Sequence, residues 1–140
     1  MESHQGKCSC GKVEVEITLP EPLSSYHPRA CDCDFCTARN IAYLSHPNGL
    51  LVITTDVGLL GKKQGSNQAR FITCPSCQTV IAATLQQEDI FIGALNATLL
   101  VDAALLGETT QVSPKLLSAK DKVERWKTLW LPIKVKSNEP

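Results

Sequence analysis

The 140-residue chain is the length of a single domain and is long enough to bury a hydrophobic core. Apolar residues make up 43% of it and charged residues 20%, as in a soluble globular protein. Its formal net charge is zero, which excludes recruitment of nucleic acid or anionic membrane by an overall positive field.

No apolar run follows Met1, and no segment approaches the roughly 18 consecutive apolar residues that a membrane span requires. We therefore expect a cytoplasmic protein with no membrane partner. In a reducing compartment, clustered cysteines are more often metal ligands or redox centres than disulfides.

Strand patterns dominate the first hundred residues. Residues 12–19 alternate apolar and polar side chains, which predicts a half-buried strand. Residues 41–44 and 50–54 are apolar runs separated by Pro47-Asn48-Gly49, a hairpin-turn signal. Residues 58–68 are rich in Gly, Lys, Ser and Asn and predict an exposed loop.

The remaining elements are a hairpin and a helix. Residues 79–85 and 90–95 predict two strands joined by a turn at 86–89. Residues 118–129 carry apolar side chains at helical spacing, and Ser118 is the expected N-cap. We predict one domain over residues 1–140, mainly antiparallel β, with a basic C-terminal helix and tail at 113–140.

Seven cysteines in three short clusters are the feature that points to chemistry. They are Cys8 and Cys10, then Cys31, Cys33 and Cys36, then Cys74 and Cys77. An odd number cannot all pair as disulfides, but it can divide into four and three. Four thiolates close a tetrahedral zinc site, whereas three leave one coordination position open, as in catalytic zinc sites.

The outer two clusters predict a structural zinc site. C-x-x-C places two sulfurs on one tight turn, and such turns form zinc knuckles when a second pair faces them. Gly11 directly follows Cys10, where the chain must turn sharply. The alternative is that Cys8, Cys10, Cys74 and Cys77 are free or redox-active thiols.

The middle cluster, C-D-C-D-F-C, predicts a metal site with an open position for water or a substrate thiol. The other candidates for a fourth ligand are His27, His46, Asp32 and Asp34. A thiolate-rich zinc favours soft ligands and would hold a substrate thiol deprotonated and nucleophilic. Addition of that thiol to a carbonyl carbon, or the reverse reaction, follows from this chemistry. No H-E-x-x-H is present to indicate peptide hydrolysis.

The order G-x-C-x-C-G, C-x-C-x-x-C and F-x-x-C-x-x-C resembles the glutathione-dependent formaldehyde-activating enzyme / centromere protein V domain family. The resemblance covers residues 6–95. It implies an Mss4-like β-tent, structural zinc on Cys8, Cys10, Cys74 and Cys77, and catalytic zinc on Cys31, Cys33 and Cys36. It also implies a carbon–sulfur lyase activity that forms S-hydroxymethylglutathione from glutathione and formaldehyde.

The sequence departs from that pattern around the cysteines. Asp32 stands where the family usually has histidine, and Gln78 where it has glycine. Arg39, Lys62 and Lys63 are candidates for binding glutathione carboxylates, the alternative being ordinary surface charges.

Two other function classes stay open. One is a non-enzymatic zinc-binding module that carries or senses thiols or binds a protein partner. The other is a zinc-ribbon nucleic-acid binder, which requires a basic face with interleaved aromatic residues. The middle cluster is acidic instead, so we expect no nucleic-acid partner.

Overall fold

In the part of the chain that the structure describes, two β-sheets joined by a shared strand pack with one α-helix. The computed structural model describes residues 2–31, 41–63, 70–87, 90–112 and 118–137. Within them the strands are β1 (Glu2–Lys7), β2 (Val13–Leu19), β3 (Arg29–Cys31), β4 (Ala42–Leu44), β5 (Leu50–Thr55), β6 (Leu60–Lys63), β7 (Arg70–Thr73), β8 (Val80–Gln87), β9 (Ile90–Asn96), β10 (Thr110–Val112) and β11 (Leu131–Ser137). Helix α1 spans Ala119–Leu129, and short 3-10 turns lie at Leu23–Ser25, Ala97–Leu99 and Ala103–Leu105.

The first sheet has the order β1-β2-β5-β11. β2 is antiparallel to both β1 and β5, and β11 runs parallel to β5. The alternation expected for residues 12–19 is confirmed in β2, where Val13, Val15, Ile17 and Leu19 are buried. One face of this sheet therefore packs inward, as period-two patterning requires.

The second sheet runs β6-β7-β8-β9-β4-β3-β10. All of these pairs are antiparallel except the parallel pair of β10 with β3. The two sheets meet in β11, whose residues 131–132 pair with β9 and whose residues 133–137 pair with β5. One strand thus belongs to both sheets.

The central strands of the second sheet contribute buried residues on both faces. One face packs against the first sheet in the inner core, which includes Leu44, Ile72 and Leu95. The other face forms the outer core, which includes Tyr43, Phe71, Ala94 and Trp130. Three side chains of α1 cover it: Val123, Trp126 and Leu129. Neighbouring residues in β4, β7 and β9 thus supply different cores because strand side chains alternate between faces.

Helix α1 begins and ends as expected from its sequence. The Asp121 amide donates to Ser118 Oγ at 3.1 Å, so Ser118 is the N-cap. The rings of Trp126 and Trp130 stack with centroids 4.7 Å apart and planes 12° apart. Their packing in the outer core agrees with a structural role for both tryptophans.

Two local predictions need correction. The turn at 47–49 forms, with the Gly49 amide donating to His46 O at 2.9 Å, but β4 and β5 do not pair as a hairpin. β5 pairs with β2 in the first sheet, and β4 pairs with β9 in the second. The turn reverses the chain direction, but it does not determine which strands pair. The loop expected at 58–68 also contains a strand, β6, which pairs with β7.

The predicted fold class is confirmed: the chain is mostly antiparallel β with one short C-terminal helix. The hairpin expected from residues 79–95 is present as β8 and β9, with Gln87 opposite Ile90. Within the described ranges, no helix is long and apolar enough to cross a membrane.

Candidate metal centre

The first cysteine turn joins β1 to β2. The Cys8 amide donates to Val13 O and the Gly11 amide donates to Cys8 O, both at 3.0 Å. Gly11 has a φ of 79°, in the left-handed region that favours glycine. Cys8 is buried and Cys10 is exposed, so the turn presents one sulfur from the core and one from the surface.

The second cysteine turn joins β7 to β8 and uses a similar backbone path. The Cys74 amide donates to Thr79 O at 3.0 Å, and the Gln78 amide donates to Cys74 O at 2.8 Å. Gln78 has a φ of 62°, so a non-glycine residue occupies the left-handed position after the second cysteine. Cys74 is fully buried, and Cys77 is partly accessible.

The two turns bring their four sulfurs together. Cys10 Sγ lies 3.6 Å from Cys8 Sγ and 3.7 Å from Cys74 Sγ, and all four sulfurs lie within 4.8 Å of one another. A tetrahedron with Zn–S bonds of about 2.3 Å has edges of about 3.8 Å. The observed separations are close to that edge and far longer than a disulfide bond of about 2.05 Å. The cluster could therefore hold zinc, as the cysteine spacing predicted.

Polar side chains connect the two turns around the sulfurs. Thr79 Oγ1 lies 3.0 Å from both Cys77 Sγ and Ser9 Oγ. Lys12 Nζ donates to Ser76 Oγ at 3.4 Å. The Val13 amide points at Cys8 Sγ from 3.4 Å. Such hydrogen bonds orient ligand side chains and stabilise their thiolate forms.

The thiols of Cys8, Cys10 and Cys77 differ in their pKa. Burial raises the pKa of Cys77, but the hydroxyl and amide of Thr79 donate to its sulfur and lower that pKa to about 5. The Lys12 amide lowers the pKa of Cys10, but burial and the three neighbouring thiols raise it to about 11. Burial likewise raises the pKa of Cys8, although hydrogen bonds from Val13 and Cys10 bring the net value below the ordinary one. Without a cation, thiolates this close together oppose one another's ionisation.

The middle cluster lies largely outside the described residues. The backbone of Cys31 ends β3, while Cys33 and Cys36 are not described. Ala30 of β3 lies opposite Ala42 of β4. The pairings of β4 with β9, β9 with β8 and β8 with β7 place Thr73 at about the same position along the strand direction. Cys31 and Cys74 therefore leave their strands at the same end of the sheet. Four strand spacings of about 4.8 Å place their backbones roughly 19 Å apart.

The histidines proposed as alternative ligands make backbone contacts. His27 Nδ1 lies 2.8 Å from Glu108 O, and the Asn48 amide donates to His46 Nδ1 at 3.1 Å. Each therefore has one ring nitrogen in a local hydrogen bond. Arg39, Asp32 and Asp34 lie outside the described residues, and only the backbone of Lys62 and Lys63 is described, in β6.

One basic residue that sequence reasoning missed is Arg29, two positions before Cys31 in β3. It is half-buried and donates from Nη2 to Ser45 Oγ. Burial lowers the pKa of its guanidinium, and the charge of Arg125 lowers it further. An arginine directly upstream of a cysteine cluster was the available signal, but its burial and its proximity to the charge of Arg125 depend on tertiary packing.

Comparisons with known proteins agree with this architecture. The search of curated proteins finds no significant match. A crystal structure of a Rhodobacter sphaeroides protein from a structural genomics programme is similar in fold, with a TM-score of 0.59 and 24% sequence identity. The alignment covers 77% of this chain and 99% of that one.

A family model described as glutathione-dependent formaldehyde-activating enzyme matches residues 3–117. The match includes all three cysteine clusters and extends beyond the residues 6–95 on which the motif resemblance depended. Most of the chain is covered, and the cysteines of the outer clusters converge in space. The chain therefore belongs to the glutathione-dependent formaldehyde-activating enzyme family.

Proposed function

We propose that the protein is a zinc-dependent carbon–sulfur lyase acting on a small thiol, glutathione or a close analogue, and an aldehyde such as formaldehyde. Cys31, Cys33 and Cys36 are the proposed ligands of the catalytic zinc. The observation that carries this proposal is the family match over residues 3–117, within which every cysteine of the three motifs is present.

The chemistry follows from the composition of the middle cluster. Cys31, Cys33 and Cys36 would hold the metal, which would supply a soft site that keeps a substrate thiol ionised. The substrate sulfur then attacks the aldehyde carbon and forms the C–S bond. The carbonyl π electrons move to oxygen, which takes up a proton to become the hydroxyl of the hemithioacetal. Reversal of these movements cleaves the same bond.

We assign the outer cluster a structural role. Its sulfurs join the β1–β2 turn to the β7–β8 turn, and Cys8 and Cys74 are among the buried residues of the inner core. The two clusters follow strands that are four strand spacings apart along the sheet, which favours separate metal ions. We therefore propose two zinc ions per chain, of which one takes part in the reaction.

Zinc stoichiometry tests this division of roles. We expect two zinc ions per wild-type chain and one in Cys31→Ala, with the far-UV circular dichroism spectrum unchanged. Ser9→Ala is the matched control, because it alters the outer turn without removing a sulfur, and it should retain both ions. A single zinc per wild-type chain would contradict the proposal.

Turnover requires a second measurement. Formation of the glutathione–formaldehyde adduct, followed by exchange NMR at equilibrium, should be faster with wild-type protein than with Cys31→Ala. If glutathione altered the spectrum of a cobalt-substituted protein but no acceleration appeared, the non-enzymatic thiol-binding module would be the correct interpretation.

A further inference from the structure

Two arginines lie near the strand that leads into the middle cysteine cluster, and we propose that Arg29 and Arg125 together bind a carboxylate of the thiol substrate. This inference deepens the proposed function and rests on it, since it concerns the recognition of a substrate whose sulfur reacts at Cys31, Cys33 and Cys36. It assigns to glutathione-like thiols a recognition site that the cysteines themselves cannot provide.

The strand register places Arg29 beneath α1. Arg29 lies opposite Tyr43 in the pair of β3 with β4, and directly paired residues project on the same face of a sheet. Tyr43 belongs to the outer core, which α1 covers. Arg125 lies on that helix and is exposed, whereas Arg29 is partly accessible. Arg29 therefore lies on the face of the sheet that α1 covers, and the charge of Arg125 acts on it there.

Neither arginine makes an ion pair with a carboxylate of the described residues, although Asp121 lies one turn before Arg125 on α1. Arg29 donates to the neutral hydroxyl of Ser45, and no described carboxylate lies within ion-pair distance of it. A guanidinium stays protonated, so burying one near a second positive charge is costly unless an anion accompanies it. Its planar arrangement of N–H donors matches the two oxygens of a carboxylate.

The position of the pair suits a substrate of tripeptide size. Arg29 precedes Cys31 by two residues of the same strand, a backbone separation of about 7 Å. In an extended tripeptide the thiol of the central residue lies about 7 Å from the C-terminal carboxylate, a span that matches this backbone separation. A neutral small thiol would lack this second attachment point.

Binding of S-methylglutathione tests the site apart from thiol chemistry, because this analogue keeps both carboxylates and has no free thiol. Calorimetric titration of the zinc-loaded, full-length protein should show binding of S-methylglutathione. The diethyl ester of this analogue should bind at least tenfold more weakly. Loss of a charge-assisted pair predicts about tenfold weaker binding in Arg29→Gln and a few-fold loss in Arg125→Gln. Arg29→Lys should fall between wild type and Arg29→Gln. Lys127→Gln, which removes an exposed charge from the same helix, should bind as wild type does.

Each alternative result has a defined meaning. The inference is overturned if wild-type protein does not bind S-methylglutathione, if the ester binds equally well, or if either folded arginine variant keeps full affinity. An equal loss in Lys127→Gln would also overturn it, by showing a non-specific charge effect. Should Arg29→Gln fail to fold, Arg125→Gln decides. If both arginines matter yet no thiol–aldehyde adduct forms, the proposed function fails while the carboxylate site stands.

Discussion

The two turns that build the four-cysteine cluster solve one geometric problem with different residues. Each supplies one buried and one accessible sulfur, and each follows its second cysteine with a left-handed residue. The first turn uses Gly11 at that position, whereas the second uses Gln78 and adds the Thr79 hydroxyl against Cys77. Both turns thus need a left-handed residue after the second cysteine. They differ in the conformational free energy of that residue and in the pKa of the accessible sulfur.

The largest expected effect separates the buried from the accessible sulfurs. Cys74→Ser places a hydroxyl in the inner core and removes a ligand that water cannot readily replace there. We expect zinc loss and a decrease in the free energy of unfolding of at least about 3 kcal/mol. Cys10→Ser should cost less, because water can reach the exposed position.

Urea unfolding with parallel zinc analysis measures both variants, with Ser76→Ala as a control that leaves every sulfur in place. Equal destabilisation by the two serine substitutions would mean that burial does not distinguish the sulfurs of a turn.

Acidity distinguishes the two accessible sulfurs. When no metal is bound, the pKa of Cys77 is about 5 and that of Cys10 about 11. Between pH 6 and 8, Cys77 is therefore already ionised, whereas Cys10 carries a proton that zinc must displace. Apparent zinc affinity should rise with pH by about tenfold per unit for each displaced proton, and it should fall as pH falls.

Competition with a chelating dye at pH 6, 7 and 8 gives this slope. Cys10→Ser should reduce it, but Cys77→Ser should not, because Cys77 loses its charge only as pH falls towards 5. A slope unchanged in Cys10→Ser would contradict the assignment of the displaced proton.

An exchange of residues tests the shared backbone requirement. Gly11→Gln should lower the free energy of unfolding by about 1 kcal/mol, because a side chain is strained at positive φ although space exists for it. Gln78→Gly should raise it by about 0.5–1 kcal/mol, since glycine's greater freedom in the unfolded chain offsets part of the relief.

Gln86→Gly is the matched control. It alters the same residue type within β8, where φ is not positive, and should be destabilising. Thermal unfolding of the zinc-loaded proteins measures all three changes. Destabilisation by Gln78→Gly would indicate that the glutamine makes a compensating interaction.

The smallest expected effect concerns the hydroxyl beside Cys77. Thr79→Val keeps the shape of the side chain but removes its hydrogen bonds to Cys77 and Ser9. Zinc affinity should fall a few-fold, the size of effect expected when a hydrogen bond to a ligand thiolate is lost. Thr110→Val, an exposed change in β10, should leave the affinity unaltered in the same competition titration. An unaltered zinc affinity in Thr79→Val would show that this hydroxyl does not contribute to metal binding.

Local patterns predicted much of this molecule. The alternation in β2, the Ser118 cap and the spacing of Cys74 and Cys77 each act within a few residues, so the sequence contains their whole cause. Partner choice between strands is different. The turn at 47–49 predicted a hairpin, but the long-range pairings of β4 with β9 and β5 with β2 decided otherwise.

The same limit applies to the tail and to the candidate site. Residues 133–136 alternate Ile and Val with lysine, a strand pattern that was overlooked beside Pro132 and the basic charge. Pro132 sits near the start of β11, where a proline is more readily tolerated. Arg29 could not be singled out beforehand because its burial and the nearby charge of Arg125 depend on long-range packing.

The placement of β11 bears on how the protein is made. Until residue 137 has left the ribosome, β5 and β9 each lack the strand pairing that β11 provides. The two cysteine turns belong to different sheets and emerge well before that point, so a metal ion can link the sheets before β11 does. Premature termination before residue 131 would therefore leave a metal-loaded but open intermediate, prone to pair through its exposed edges.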